Sequence, residues 1–195
     1  MKYKSYIKNF ENKKGLNYIT KDQNKYFDSL LKLEILTRSN RYSGYDPYDA
    51  LNCLTLNNLN IKTLNIIFTQ SLVYSPINIR PFLNIPKGRN PKAIGLLMKT
   101  YCILEKSKIL PTNFSLNISK LLAQWLIRNR SSYSNYCWGY NFPWQSSNRK
   151  LEAGIPTIVN SSFIGDAFIS LYDLTSDKRY LEIAESICNF IFKSK

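Results

Sequence analysis

The sequence predicts an all-α protein built from stacked antiparallel helical hairpins. Wherever apolar residues recur with a visible period, the step is three or four residues, the spacing of one face of an α-helix. No segment combines apolar–polar alternation with the turn residues that predict a β-hairpin. A link of only four residues, LTSD at 174–177, separates the last two helical patterns. So short a link joins antiparallel neighbours, which predicts a hairpin.

Helix-start residues support several of the helical segments that the apolar spacing predicts. Asn90 and Pro91 supply a cap and a first turn, Pro156 suits a first helical turn, and Asp177 is a candidate cap. The predicted helices cover residues 22–39, 61–74, 90–107, 114–130, 156–173 and 177–193.

One helix is predicted to bury a well-defined stripe. In 156–173 the apolar side chains recur at four-residue steps, with Ile164, Phe168 and Tyr172 widening the face that they form. The stripe consists of Val159, Phe163, Ala167 and Leu171.

The length allows a single domain with a sizeable core. A chain of 195 residues with 44% hydrophobic residues can bury a core without metal or disulfides. We expect a basic, poorly ordered tail over residues 1–20, followed by a helical array over 21–195. The four cysteines are far apart with no CxxC pair, so we interpret them as small buried thiols of a reducing compartment.

Composition excludes several classes of chemistry. The chain has no histidine, which removes Ser-His and Cys-His nucleophiles and imidazole-bound metals. We therefore expect no metal site and no cofactor, and acid–base chemistry would depend on carboxylates.

The net charge of +14 is spread along the chain rather than gathered in a basic block. This distribution favours an ordinary solvated surface over a nucleic-acid interface, although attraction to an acidic polymer or a membrane surface stays open. No run of about 18 apolar residues predicts a transmembrane helix, and we expect a soluble cytoplasmic protein.

Unusual connections rich in aromatic residues separate the helices. They include RYSGYDPYDALN at 41–52, YSPINIRPFLNIPKGRN at 74–90 and CWGYNFPWQSS at 137–147. Loops with this much Tyr, Trp, Phe and Arg either tuck into the core or line a shared surface.

These segments together resemble a known family. GYDPYDALN, IRPFLNIPKGRNPKAIGLLMKTY, CWGYNFPWQ, PTIVNSSFIGDAF and LYDLTSDKRYLEIA, in this order, resemble helical-toroid proteins of bacterial polysaccharide-biosynthesis gene clusters. Those proteins are similar to the (α/α)6 six-hairpin glycosidase-like proteins. The resemblance covers most of residues 25–192, and the block 137–184 is its most specific part.

The resemblance implies a partial (α/α) toroid and carbohydrate work. A closed toroid needs about twelve helices, and 195 residues supply roughly half of them. The chain therefore resembles an amino-terminal half, which is either a truncated reading frame or a half whose open end a second chain covers. Where the family often has an aspartate before the second tryptophan, this chain has Pro143.

Two aspartates are the candidate catalytic groups. Asp46 lies in the turn GYDPYD, and Asp166 interrupts the apolar region of a helix. As a pair they would serve the carboxylate chemistry of a glycoside hydrolase or transferase. The alternative for Asp46 is a turn residue that binds backbone amides, and for Asp166 an ion pair with Arg89 or Arg149.

Aromatic and amide side chains in the loops predict a sugar site. Aromatic rings stack on the apolar faces of sugars, and amide, carboxylate and guanidinium groups bind their hydroxyls. In 137–147 we expect Trp138 and Phe142 to plug the core, and Tyr140, Trp144 and Gln145 to line the site, with Asn160 facing the same funnel. The candidate substrate-binding residues are Tyr45, Tyr48, Asp49, Arg89, Trp138, Tyr140, Asn141, Trp144, Gln145, Arg149 and Asn160.

Two functions are consistent with these patterns. The first is a carbohydrate-binding or carbohydrate-active toroid acting in cell-surface polysaccharide metabolism, with an oligo- or polysaccharide as its partner and catalysis left open. The second is a non-catalytic scaffold whose aromatic loops dock a partner protein or the missing half of the toroid.

Overall fold

The structure is a computed structural model that describes residues 21–53, 61–108, 110–111, 113–146 and 148–193. The tail expected over residues 1–20 lies outside this range. The chain divides into two compact units, Met1–Tyr42 and Ser43–Lys195. In the first unit, helix α1 spans Lys21–Ser39.

The second unit holds five further α-helices among its described residues, which confirms the all-α class. It begins with a 3-10 turn at Asp49–Asn52, followed by α2 (Lys62–Tyr74), α3 (Pro91–Lys106), α4 (Phe114–Arg128), α5 (Ile158–Thr175) and α6 (Lys178–Lys193). All the predicted helices therefore exist, and their bounds agree with the predicted ones to within two residues. No described helix is long and apolar enough to cross a membrane.

Two helical hairpins lie side by side. Helix α3 packs on α4, and α5 packs on α6. Helices α3 and α5 also pack closely on one another. Three contacts join them: Lys92 with Phe163, Lys99 with Asp166, and Lys106 with Asp173. Because the residue numbers rise together on both helices, α3 and α5 run parallel.

The start of α3 follows its predicted cap. The Asn90 side chain accepts a hydrogen bond from the Lys92 amide at 3.0 Å, and Pro91 occupies the first turn. Helix α4 is capped from outside its own sequence, because both carboxylate oxygens of Glu105 accept backbone amides, from Asn113 at 2.9 Å and from Leu116 at 3.0 Å.

Helix α5 starts later than predicted. Thr157 is its N-cap and accepts the Asn160 amide at 3.2 Å, while Pro156 lies before the helix and pairs with Gly139 in an isolated antiparallel bridge. The threonine hydroxyl accepts a helix amide, which a proline side chain cannot do, so Thr157 caps the helix.

The predicted stripe of α5 is wrong in its first half. Val159 and Phe163 are 51% and 40% exposed, whereas Asn160 and Ile164 are fully buried. The reason is Gly95 of α3, whose missing side chain lets Ile164 come so close that a Cβ on the glycine would lie 2.9 Å from Ile164 Cγ1. This contact turns the neighbouring positions to the surface.

The structure also contains a small strand pair that the sequence did not predict. Strands β1 (Trp144–Gln145) and β2 (Lys150–Leu151) pair antiparallel, Trp144 opposite Leu151. Strands of two residues are too short to show a two-residue period. Among the cysteines, Cys188 is exposed, which corrects the expectation that all four are buried; Cys53, Cys102 and Cys137 are buried as free thiols.

Candidate functional site

The aromatic loop between α4 and α5 is fixed by its own backbone. The amide of Thr157 donates to the carbonyl of Trp138 at 3.0 Å, and the amide of Gly154 donates to the carbonyl of Tyr140 at 2.8 Å. Gly139 is required between these bonds, because a Cβ there would lie 2.1 Å from the Ile155 carbonyl oxygen. The two limbs of the loop therefore run in contact, and the aromatic side chains between them are held in place.

Trp138 is the plug that the sequence predicted. It is fully buried, its indole Nε1 donates to the Leu126 carbonyl at 2.9 Å, and its amide donates to Ser161 Oγ at 3.1 Å. Its ring stacks on that of Phe168 at 6.2 Å between centroids. Trp138 was also a candidate binding residue, and this is corrected, since a fully buried ring presents no face to a ligand at the surface.

Next along the loop is a group of three rings that we call the aromatic patch. It consists of the half-buried Tyr140 and Trp144 and the buried Phe142. The Tyr140 ring stacks on Phe142 with centroids 5.2 Å apart and lies 6.4 Å from the Trp144 ring, tilted by 53°. Gln145 is half-buried beside Trp144 on the same short strand. Burial therefore divides the loop as predicted, with Trp138 and Phe142 inside and the other three residues half-buried, and the lining of a sugar site stays a prediction.

The turn at 43–53 is organised by a buried ion pair. Arg80 Nε donates to Asp49 Oδ1 at 2.7 Å, and both side chains are almost fully buried. Arg80 Nη2 also donates to the carbonyls of Asp46 and Pro47, each at 3.1 Å. Burial raises the pKa of Asp49, and the Arg80 guanidinium opposes that rise. The pair thus holds the turn in shape, which is a structural role for Asp49.

Asp46 is held at both oxygens. Oδ1 accepts the Tyr48 amide at 3.0 Å, as expected for a turn residue, and Oδ2 accepts Asn90 Nδ2 at 2.9 Å. The second bond ties the turn to the N-cap of α3. A backbone bridge between Gly44 and Gly88, with both N–O distances 2.9 Å, makes a further connection to the loop before α3.

The aromatic patch and this turn are neighbours. Burial raises the pKa of Tyr140, and the negative charge of Asp46 adds to that rise, so the phenol is a neutral O–H donor at physiological pH. Asn141 packs over Gly88, where a Cβ would lie within 2.2 Å of Asn141 Nδ2. The buried Oδ1 of Asn141 has no hydrogen-bond partner among the described residues.

Sequence reasoning missed three residues that build this region. Arg80 and Asn90 hold the two aspartates, and Lys87 lies with its ammonium 5.6 Å from the centroid of the Tyr45 ring, on which Arg80 also packs at 6.0 Å. A signal was present, because all three lie in or next to the quoted segment IRPFLNIPKGRN.

The remaining candidates are spread over different environments. Arg89 stacks on Trp125 at 5.7 Å, while Tyr48 and Arg149 are exposed. Asn160 does not face the funnel as expected: it is fully buried, and neither polar atom of its side chain has a hydrogen-bond partner among the described residues. Because Thr157 caps α5, Asn160 falls in its first turn on the side buried against the core.

Asp166 lies apart from Asp46. Its carboxylate is half-exposed and forms an ion pair with Lys99 at 2.5 Å, rather than with Arg89 or Arg149 as the sequence suggested. Asp46 binds Asn90 at the N-cap of α3, and Lys99 is nine residues further along, about 13 Å of helix axis. The two candidate catalytic carboxylates thus attach to different points of α3.

This arrangement is suited to binding. Each carboxylate of the turn is committed to hydrogen bonds or an ion pair, whereas the rings of Tyr140 and Trp144 and the amide of Asn141 retain unused surface or bonding capacity. No group of three or more His, Cys, Asp or Glu side chains that could hold a metal gathers in the described part of the chain.

Comparison with protein-family models, with curated proteins and with solved structures finds no match for this chain. The resemblance to helical-toroid proteins therefore depends on the quoted motifs alone.

Proposed function

We propose that this chain binds a carbohydrate at the aromatic patch, and that the site recognises the sugar without cleaving it. The observation that supports this most directly is the half-buried pair of Tyr140 and Trp144, set above a buried ring and beside an amide oxygen that lacks a partner. The proposal includes the partial toroid that the resemblance implies, with α3 and α5 in its inner layer, and the cytoplasmic location expected from the sequence.

The rings supply the apolar part of such a site. A pyranose presents a flat face of C–H groups, which gains free energy by leaving water for an aromatic face. Tyr140 and Trp144 are tilted by 53°, so they offer two differently oriented faces, which suits two adjoining surfaces of one sugar or two successive units. Phe142 beneath them stops the Tyr140 ring from collapsing inward.

Polar groups at the edge of the aromatic patch would orient the bound sugar. The Tyr140 hydroxyl stays protonated because its pKa is raised, so it donates to a sugar oxygen. Asn141 Oδ1 is buried without a partner among the described residues, and it would accept a sugar hydroxyl once the Asn141 side chain turns outward.

Hydrolysis is less well supported than binding. Glycosidases use two carboxyl groups about 5–10 Å apart, one of which must exchange a proton with the leaving group. Asp46 accepts hydrogen bonds at both oxygens, and Asp49 is buried against Arg80. Asp166 is paired with Lys99, away from the patch. Pro143, buried in the loop, adds no carboxylate.

The test is a glycan-array screen with neutral and acidic oligosaccharides, followed by calorimetric titration of the best binder. Trp144→Ala is expected to weaken binding at least tenfold, since loss of a stacked ring face removes about 1.5 kcal/mol or more. Trp144→Phe retains a ring and is expected to stay within a few-fold of the wild type. Phe192→Ala, which truncates an exposed ring at the end of α6, is the matched control.

Two results would contradict the proposal. One is the absence of binding to every glycan by a folded wild-type protein. The other is equal affinity of wild type and Trp144→Ala for the same oligosaccharide, with circular dichroism showing that both are folded.

A further inference from the structure

Helices α3 and α5 are two copies of the same structural position. Each follows a side-chain N-cap, Asn90 or Thr157, and each forms a hairpin with the next helix. When the sequences are aligned at the two caps, Asn90 on Thr157, each residue of α3 has a counterpart in α5. The burial of each residue in α3 can then be compared with that of its counterpart in α5. A position that is buried in one helix and exposed in the other marks a surface that nothing covers.

One edge of α5 is open where the equivalent edge of α3 is covered. On α3, Gly95 contacts Ile164 of α5, and the flanking Pro91 and Cys102 are buried too, Cys102 with its thiol 3.6 Å from Ser119 Oγ of α4. Their counterparts on α5 are all exposed, and we call them the trailing edge. The trailing edge consists of Ile158, Ser162 and Ile169.

The opposite edge of α3 is open in the same sense. On α5, Ile164 contacts Gly95 of α3, and it is fully buried together with Asn160 and Ala167 on the same face of the helix. Their counterparts on α3 are the exposed Ala93, the half-buried Leu97 and the exposed Thr100. We call these three the leading edge.

Charge follows the same repeat. Across the α3–α5 contact Lys99 pairs with Asp166, and Lys106 lies 4.0 Å from Asp173. In the cap-based alignment Lys99 is also the counterpart of Asp166, and Lys106 that of Asp173. If the α3 of another copy packed on α5 in the same way, its Lys99 and Lys106 would therefore lie at Asp166 and Asp173.

We propose that the chain associates with a second copy of itself head to tail, the leading edge of one copy docking on the trailing edge of the other. The contact repeats the α3–α5 packing within one chain. It is heterologous, because two different surfaces meet, and successive copies form a ring or an open chain depending on the rotation between them. Opposite charges at both paired positions favour a second copy as the occupant.

The side chains at the two edges are compatible in size. Within the chain, Gly95 gives room for Ile164. On the trailing edge the counterpart of Gly95 is Ser162, again a small residue, and the counterpart of Ile164 on the leading edge is Leu97, again a branched apolar one. The same fit of a large side chain against a small one is available between copies.

The test is analytical ultracentrifugation of the full chain over a range of concentrations, with one substitution on each edge. The wild type is expected to associate in a concentration-dependent way. Ile169→Glu and Thr100→Glu each place a carboxylate in the contact, next to the aspartates of α5, and are expected to weaken association at least tenfold. Leu121→Glu changes an exposed leucine of α4 outside both edges and is the control that should associate as the wild type does.

A mixture of the two variants determines whether the contact is head to tail. Each variant keeps one intact edge, so Ile169→Glu and Thr100→Glu are expected to form a one-to-one heterodimer and nothing larger. A symmetric contact of two trailing edges predicts instead that Thr100→Glu associates alone like the wild type. That result, a monomeric wild type at every concentration, or edge variants that associate unchanged would overturn the proposal.

Discussion

The paired hairpins of α3–α6 and the loops at their ends are stabilised in different ways. The hairpins pack apolar faces, with Ile94 and Met98 of α3 and Ile164 and Phe168 of α5 almost fully buried. The loop cluster, meaning the described parts of 43–53, 75–90 and 131–157, depends on a buried ion pair, backbone bridges and close contacts at glycines. Apolar packing tolerates exchange of one hydrophobic residue for another. In a network of hydrogen bonds and ion pairs, by contrast, the loss of a single group removes several contacts.

The two regions therefore have different roles, the hairpins in the shape of the molecule and the loop cluster in the proposed recognition. The helical array provides a framework, and the polar network determines where Tyr140 and Trp144 lie. Substitutions that act on one region and spare the other test that separation of roles.

Trp138→Ala is expected to have the largest effect, because this residue joins both regions. The change removes a fully buried ring that stacks on Phe168 and leaves the Leu126 carbonyl without its indole donor. We expect a loss of about 4 kcal/mol in unfolding free energy, measured by urea denaturation.

Trp144→Ala provides the comparison, since this ring is only half-buried and should affect binding more than stability. If Trp144→Ala were as destabilising as Trp138→Ala, the distinction between plug and patch would be wrong.

Arg80→Met tests the polar network. It leaves the buried Asp49 carboxylate unpaired and is expected to cost about 3 kcal/mol near neutral pH. Burial already raises the pKa of Asp49, and loss of the guanidinium raises it further. A folded-state pKa above the ordinary 3.8 means that stability is lost as pH rises through it, so the deficit of the variant should shrink toward pH 4 and below.

The double variant Arg80→Met with Asp49→Leu is the control for this pair. It removes both charges and should recover part of the loss, because no unpaired carboxylate remains in the interior. Additive losses in the double variant would show that the pair does not act as a unit.

Gly139→Ala tests the loop backbone. The new Cβ would meet the carbonyl of Ile155, a backbone group that cannot rotate away, and we expect a loss of about 2 kcal/mol. Gly44→Ala is the matched control, since nothing lies within 4 Å of its added Cβ. Thermal unfolding of the two variants should differ clearly, and equal midpoints would contradict the close approach of the two loop limbs.

Asp177→Asn should have the smallest effect, which is present near neutral pH and disappears in acid. Hydrogen bonds from Arg179 lower the pKa of the half-buried Asp177, whose Oδ1 also accepts the Arg179 amide at the start of α6. Its contribution is therefore present above pH 3.8 and is lost as pH falls through the lower folded-state value. Asparagine retains the cap without titrating, so the variant should show a flatter pH dependence of stability below pH 4, and an unchanged slope would show that another carboxylate is responsible.

Prediction from the sequence succeeds in the hairpins because their bonds are local. The helix bounds follow from apolar spacing, and the start of α3 follows from Asn90 and Pro91. The buried face of α5 was misjudged because Gly95, in another helix, determines which side of α5 is covered. No pattern within α5 itself carries that information.

The site was predicted in part. Trp138 is buried and Tyr140 and Trp144 are half-buried, as ring size and loop position predicted, and the role of the latter two as the lining of a site stays a prediction. The partners of the aspartates were not predicted, because Arg80 and Asn90 reach back across more than thirty residues of chain. Such pairings depend on where the loops fold back, which the apolar period does not encode.

The Glu105 cap has a consequence for the order of folding. Its carboxylate joins the end of α3 to the start of α4 over only eight and eleven residues of sequence. Closing so short a loop costs little entropy, and contacts of low sequence separation form early. The α3–α4 hairpin should therefore form early, as should the α5–α6 hairpin, whose helices lie only two residues apart, and the two hairpins dock once the aromatic loop has closed. A slowed refolding rate in Glu105→Ala, greater than in Asp177→Asn, would identify the α3–α4 hairpin as the nucleus.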